Sequence, residues 1–201
     1  MTHPAAPDPV ICLASMSPRR RELLAQIGVP HAVVAAHVDE SLQPHEPPAD
    51  YVARLARLKA ETVRQRGEVL PVLAADTTVV LDGTVYGKPH DRADEIKMLA
   101  ALSGRTHQVL TAVALATGRD VALRVNCSSV TFRDIGRKEM EEYWQTGEPR
   151  DKAGGYAIQG YGAVFVTGLT GSYSAVMGLP LYETAELLRA AGIRYWIGAA
   201  P

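Results

Sequence analysis

The stretch Leu70-Pro71-Val72-Leu73-Ala74-Ala75-Asp76-Thr77-Thr78-Val79-Val80-Leu81-Asp82-Gly83-Thr84-Val85-Tyr86-Gly87-Lys88-Pro89 decides the fold class. Leu70 to Ala75 is a nearly continuous apolar run, as expected of a strand buried on both faces, and Asp76-Thr77-Thr78 follows it directly. A second apolar run, Val79-Val80-Leu81, meets Asp82-Gly83 and then Thr84-Val85-Tyr86. Asp-Gly between two strand-like runs is a two-residue hairpin signal. Counting back from that turn pairs Leu81 with Thr84 and sets Lys88 opposite Thr77 and next to Asp76.

N-terminal to this stretch, Val10 to Leu13 reads as a strand, Ser17 as an N-cap, Pro18 as the first residue of a helix and Gly28 as its stop. Arg19, Arg20 and Arg21 then fall in the first turn. Cations there oppose the helix dipole at about 0.3–1 kcal/mol each. Either a bound phosphate compensates them, or they point into water. A short strand is expected over Ala32 to Ala36, then a proline-rich loop carrying Glu40, and an amphipathic helix from about Asp50 to Arg66. Lys59 falls on the apolar face of that helix, four residues after Leu55, where it is either a snorkelling side chain or a ligand.

C-terminal to the hairpin, Asp91 caps a helix through Leu102, and Gly104 closes it. Strands follow over His107 to Ala116 and Val121 to Phe132, joined by a turn at Gly118-Arg119-Asp120. A helix over Lys138 to Thr146 leads to a glycine-rich loop, Glu148 to Gly162, with Asp151 and Lys152. A strand at Ala163 to Val166 and a helix from about Pro180 to Ala191 complete the pattern. Hairpins mixed with crossovers predict an α/β fold, a mixed twisted sheet with helices packed on it.

Composition narrows the function. The chain has 201 residues and a formal charge of −1, which gives no electrostatic footprint for long nucleic acid, though local arginines remain free to bind a small anion. Cys12 and Cys127 have no metal-ligand spacing and read as small core residues. Residues 1–9, rich in proline, read as a disordered tail ahead of a single domain over 10–201. No stretch approaches the roughly 18 apolar residues of a membrane span, so the default compartment is the cytoplasm. Walker A, dinucleotide-binding, G-x-S-x-G and H-E-x-x-H motifs are all absent.

Asp76 is the residue singled out for chemistry, because a carboxylate at the end of a buried strand must be paired or bind something. Ion pairing with Lys88 is one answer. The other is that Asp76 faces a cleft, where it deprotonates a water or holds a divalent ion. Glu40 and Asp151 are further carboxylates off the helix faces, and Arg19, Arg20, Lys59, Lys88 and Lys152 supply positive charge. One or two carboxylates plus substrate phosphates is the usual surrounding of Mg²⁺, so this set describes a nucleoside triphosphate site without a P-loop.

Leu13-Ala14-Ser15 with Ser17-Pro18-Arg19-Arg20, Glu40-Ser41, Lys59-Ala60, Ala75-Asp76-Thr77 and Gly87-Lys88-Pro89 form one series of short motifs. Ser103-Gly104 with His107, Gly147-Glu148-Pro149 with Asp151-Lys152-Ala153-Gly154, Ile158-Gln159-Gly160 and Gly171-Ser172-Tyr173 continue it. In order and spacing, from about residue 10 to 192, these segments resemble the Maf family of septum-formation-inhibitor-like nucleotide pyrophosphatases. The resemblance implies two lobes around a cleft, in a fold related to the inosine-triphosphate pyrophosphatases. It also implies hydrolysis of a nucleoside triphosphate to the monophosphate and pyrophosphate with Mg²⁺ or Mn²⁺.

By the family pattern, Asp76 accepts the proton of the attacking water, Ser15, Arg19, Arg20, Lys59 and Lys88 hold phosphates, and Glu40 joins Asp76 at the metal. Arg19, Thr77 and Gln159 match the subgroup acting on dTTP and UTP, and a glutamine amide suits the imide edge of uracil or thymine. Met16 departs from the pattern, standing where the family usually has a small residue, which bears on rate and preference. A homodimer is also compatible with a domain of this class. The family name suggests a second role, a non-hydrolytic nucleotide-binding regulator of cell division.

Overall fold

A computed structural model describes residues 7–118 and 120–197. Arg119 and residues 1–6 of the expected tail lie outside the described residues. The strands are β1 (Ile11–Leu13), β2 (His31–Val33), β3 (Val72–Leu81), β4 (Thr84–Tyr86), β5 (Thr106–Thr117), β6 (Asp120–Phe132) and β7 (Val166–Thr170). The helices are α1 (Pro18–Gln26), α2 (Pro48–Gln65), α3 (Arg92–Leu102), α4 (Arg137–Gln145), α5 (Tyr173–Met177) and α6 (Leu181–Ala190).

The strands form one seven-stranded mixed sheet in the order β2-β1-β3-β5-β6-β7, with β4 also on β3. The pairs β1–β2 and β1–β3 are parallel, and the rest are antiparallel. The parallel pairs follow from crossovers through α1 and α2 and the antiparallel ones from tight turns, as the sequence pattern predicts. Asp82 and Gly83 both take positive φ at the β3–β4 turn, the backbone that an Asp-Gly hairpin requires.

β3 is sandwiched, which explains its unbroken apolar character. Val72, Ala74 and Val80 pack in one cluster with Val52, Ala56, Ala60 and Val63 of α2. Leu73 and Ala75 pack on the other face with Leu23 and Leu24 of α1 and Leu187 and Leu188 of α6. Val79 and Leu81 join a third cluster with Leu99 and Leu102 of α3 and Met140 and Tyr143 of α4. The period of two therefore points even-numbered residues of β3 at α2 and odd-numbered ones at the opposite layer.

The edge of β3 is divided. β1 covers only Val72 and Leu73, β4 covers Val79 to Leu81, and among the described residues no strand pairs with residues 74–78 on that side. On the other side β5 pairs continuously from Val72 to Val80. Asp76, Thr77 and Thr78 thus sit at a notch in one edge of an otherwise interior strand.

Several expectations need correction. The β3–β4 ladder ends at Val79↔Tyr86, so Lys88 is not carried opposite Thr77, because the chain leaves the sheet at Gly87. The strand expected at Ala163 to Val166 begins at Val166, since residues Tyr161–Phe165 form a 3-10 turn that buries Phe165. β2 ends at Val33 and does not reach Ala36. Cys12 is buried as expected, with its thiol pushed up to about 11 by burial, but Cys127 is exposed on β6 and is not a core residue.

Candidate active site

α2 builds one wall of the site along its length. Its apolar stripe of Val52, Leu55, Ala56, Ala60 and Val63 is buried, and the same spacing buries Lys59 among them. Near its start, Tyr51 Oη donates to Glu40 O (2.9 Å) and Arg54 Nη2 donates to Ser41 O (3.0 Å), holding the loop that carries Glu40. One turn further on, Lys59 Nζ reaches Asp76 Oδ1 and Glu40 Oε1, each at 2.6 Å. Lys59 is therefore not a snorkelling side chain, and the partner of Asp76 is Lys59 rather than Lys88.

The alternation along β3 separates the two neighbouring polar residues. Asp76 faces α2 and meets Lys59, while Thr77 faces the other layer and meets Arg20 of α1. Arg20 is held as a fork: Nε donates to Gly178 O (2.8 Å), Nη1 to Ser15 Oγ (3.2 Å) and Nη2 to Thr77 Oγ1 (3.4 Å). Thr111 of β5 donates to Ala175 O (2.8 Å) and lies 3.0 Å from Thr77 Oγ1, tying the short helix α5 to the sheet beneath it. Arg19 donates to Met177 O (3.3 Å) and to Asp151 Oδ2 (3.4 Å). Arg21 turns away and is exposed. Ser17 stands at the N-cap position without capping through its side chain; instead its N–H donates to Ser15 Oγ (3.2 Å).

These groups line a cleft of about 940 Å³ at the notch in β3. Ser15, Arg19, Arg20, Glu40, Lys59, Asp76, Thr77, Lys88 and Gln159 all face it, so the residues singled out from the sequence come together in one place. Asp151 and Lys152, paired with each other, line it too. Lys88 is exposed on the segment after β4 and makes no ion pair within 4.0 Å among the described residues. Met16 is exposed and lines the cleft beside Ser15.

Burial and charge act in opposition on the two carboxylates. Burial raises the Asp76 carboxyl above its ordinary range, against the pull of Lys59 and Arg20. Glu40 is only partly buried, and although burial is its largest single influence, Lys59, Lys88 and Arg20 together bring it below its ordinary range. Glu40 and Asp76 are hard oxygen donors meeting in a cationic cleft, a donor set that fits Mg²⁺ when substrate phosphates complete the shell. Among the described residues no group of three or more His, Cys, Asp or Glu gathers to hold a metal by protein ligands alone.

Residues outside the expected set shape the site from behind. Tyr143 and Glu148 hold the loop that presents Gln159, and His107 Nε2 lies 2.8 Å from Tyr156 Oη in the same loop. Glu148 and His107 are visible in the sequence as part of the motifs, but Tyr156 lies 49 residues from His107, and the Tyr161 and Gly162 amides that bond Glu148 lie beyond an intervening loop, so no helical or strand period announces them. No described helix is long and apolar enough to cross a membrane.

Residues 10–191 match the family described as "Maf-like protein". A Saccharophagus degradans protein named dTTP/UTP pyrophosphatase is 54% identical over 94% of this chain and 92% of its own length. Proteins of the same name from Alkalilimnicola ehrlichii (55% identity, 90% of this chain, 92% of the relative) and Nitrosomonas europaea (51%, 91% and 95%) are similarly related. With the family match spanning most of its length and such relatives covered nearly end to end, the chain belongs to the Maf family.

Proposed function

We propose that this protein is a nucleoside triphosphate pyrophosphatase that hydrolyses dTTP and UTP to the monophosphate and pyrophosphate. The observation that carries the reading is Asp76, a buried carboxylate held by Lys59 at a notch that opens onto a cationic cleft. The names borne by relatives at 51–55% identity support the same substrates.

In this reading Ser15, Arg19, Arg20 and Lys88 hold the triphosphate, and Arg20 enters the reaction already fixed by Gly178 and Thr77. Asp76 orients a water for in-line attack at the α-phosphorus and takes its proton. A raised carboxyl is a better proton acceptor than an ordinary aspartate, which favours that role. Lys59 fixes the carboxylate of Asp76 and of Glu40 at once. The arginines and lysines offset the charge that develops on the departing pyrophosphate. Glu40 and Asp76 would hold Mg²⁺ or Mn²⁺, which when bound supplies charge neutralisation at the phosphate oxygens. Arg19, Thr77 and Gln159 set the preference for dTTP and UTP, with the Gln159 amide reading the imide edge of thymine or uracil.

The test is pyrophosphate release from dTTP, UTP, CTP, ATP, GTP and 7-methyl-GTP with Mg²⁺, Mn²⁺ or EDTA, in wild type and Asp76→Asn. Metal-dependent release strongest with dTTP and UTP, and about 10²–10⁴-fold weaker in the variant, is expected for loss of a general base. A folded wild-type protein that binds nucleotide without releasing pyrophosphate would instead favour the regulator of cell division.

A further inference from the structure

Gln159 sits at the tip of a turn whose two stems are fastened to one carboxylate and one phenol. Gly160 N donates to Ala157 O (3.2 Å), closing a β-turn with Ile158 and Gln159 at its centre. Before the tip, Ala157 N donates to Tyr143 Oη (3.2 Å). After it, Tyr161 N donates to Glu148 Oε2 (2.9 Å) and Gly162 N donates to Glu148 Oε1 (2.9 Å). Tyr143 Oη itself donates to Glu148 Oε1 at 2.6 Å, joining the two fastenings.

The chemistry of this clasp is specific. Glu148 receives three donors on its two oxygens and gives none, a task for an ionised carboxylate, since an amide would turn an N–H₂ towards another donor. Burial, followed by the hydrogen bond to Glu148, pushes the Tyr143 hydroxyl up, so it keeps its proton and remains a donor. Gly160 has the space beside it filled by Glu148, and a Cβ there would run into Oε2. The carboxylate is thus seated against the turn itself. The ring of Tyr143 packs edge-on against Phe165, centroids 5.0 Å apart, which anchors the clasp in the core between α4 and the loop. None of these contacts involves the cations or carboxylates of the phosphate end of the cleft.

We infer that Glu148 and Tyr143 are positioning residues for nucleobase selection: by clamping both stems of the Ala157–Gly160 turn they fix the Gln159 amide against the base. The inference rests on the pyrimidine reading above and deepens it. Neither residue faces the cleft, so both act through Gln159, and their loss affects base recognition rather than the chemical step.

The experiment is steady-state kinetics with dTTP, UTP, CTP and GTP for wild type, Glu148→Gln, Tyr143→Phe, Gln159→Ala and the Glu148→Gln/Gln159→Ala double variant, together with hydrogen exchange of the Ala157, Tyr161 and Gly162 amides. In Glu148→Gln, the KM for dTTP and UTP rises by about tenfold, the order of one well-placed hydrogen bond, while kcat and the constants for CTP and GTP move by less than about threefold. The Tyr161 and Gly162 amides lose protection, and the double variant discriminates no worse than Gln159→Ala alone. Tyr143→Phe, which keeps the ring packing, gives the same pattern in milder form and serves if Glu148→Gln does not fold. An equal loss on all four nucleotides, a change in kcat alone, additive losses in the double variant, or unchanged exchange would overturn the inference. Wild-type turnover without preference for dTTP and UTP would remove the reading beneath it as well, and is told apart by needing no variant.

Discussion

Lys59 Nζ lies 2.6 Å from Asp76 Oδ1, and both side chains are about nine-tenths buried. Removing the cation leaves an unpaired buried carboxylate, whereas removing the carboxylate leaves Lys59 its second partner, Glu40. Lys59→Met is therefore expected to cost about 3–5 kcal/mol in urea unfolding, the range for breaking a buried pair. Asp76→Asn should cost clearly less. Equal losses would contradict the shared-partner geometry.

The acid limb of activity follows from the same pair. Asp76 must be deprotonated to accept a proton, and its carboxyl is raised by burial, so activity should rise with pH through a limb above the ordinary aspartate value of about 3.9. Lys59 opposes that rise. A Lys59→Met variant with residual turnover should move the limb of kcat/KM to still higher pH; a limb that moved down would contradict the assignment.

Glu95 of α3 is fully buried beneath the Gly154-Gly155 turn, and among the described residues neither of its oxygens has a hydrogen-bond partner. Burial, with a smaller push from Asp94, raises its carboxyl to about 8. The folded state therefore holds a proton that the unfolded state releases above about 4.5. Its stabilising contribution is complete below that value, declines by about 1.4 kcal/mol per pH unit up to about 8, and levels off above it. Thermal unfolding from pH 5 to 9 should show Glu95→Gln losing less stability with rising pH than the wild type. Parallel curves would mean that Glu95 does not titrate in this range.

Arg20 illustrates why charge alone does not suffice. Its Nε and both terminal nitrogens are spent on Gly178, Ser15 and Thr77 in one plane-fixed arrangement. Lysine keeps the charge and loses the fork, so Arg20→Lys should behave much more like Arg20→Ala than like wild type in triphosphate KM. Kinetics on dTTP for the two variants decides this, and near-wild-type KM in Arg20→Lys would show that only the charge matters.

Legibility followed the range of the interactions. The Asp82-Gly83 hairpin, the Asp91 cap and the long pair β5–β6 were all readable, because each is set by neighbours in the chain. The residues that line the cleft were readable as types, but their partners were not. Hairpin counting set Lys88 beside Asp76, yet the ladder ends at Tyr86, and the ammonium that reaches Asp76 comes from a helix whose orientation only tertiary packing decides. The same holds for Glu148: its backbone donors, Tyr161 and Gly162, lie a full loop away, and no local period announces them.

The uncovered span of β3 has a consequence for solubility as well as for chemistry. Cys12 N and Ala14 N take the carbonyls of Pro71 and Leu73, so odd-numbered residues direct their peptide groups toward that side, and alternation sends those of Ala75 and Thr77 there too. Free main-chain groups on a flat apolar strand are a template for a foreign chain. Here the template is cut to a few residues by β1 and β4, and an incoming strand would have to strip water from exposed Lys88 and push past the paired Lys59 and the bonded Arg20 to reach it. The charges gathered for a phosphate thus also guard the sheet against intermolecular pairing, so neutralising several of them together should promote aggregation even where the fold survives.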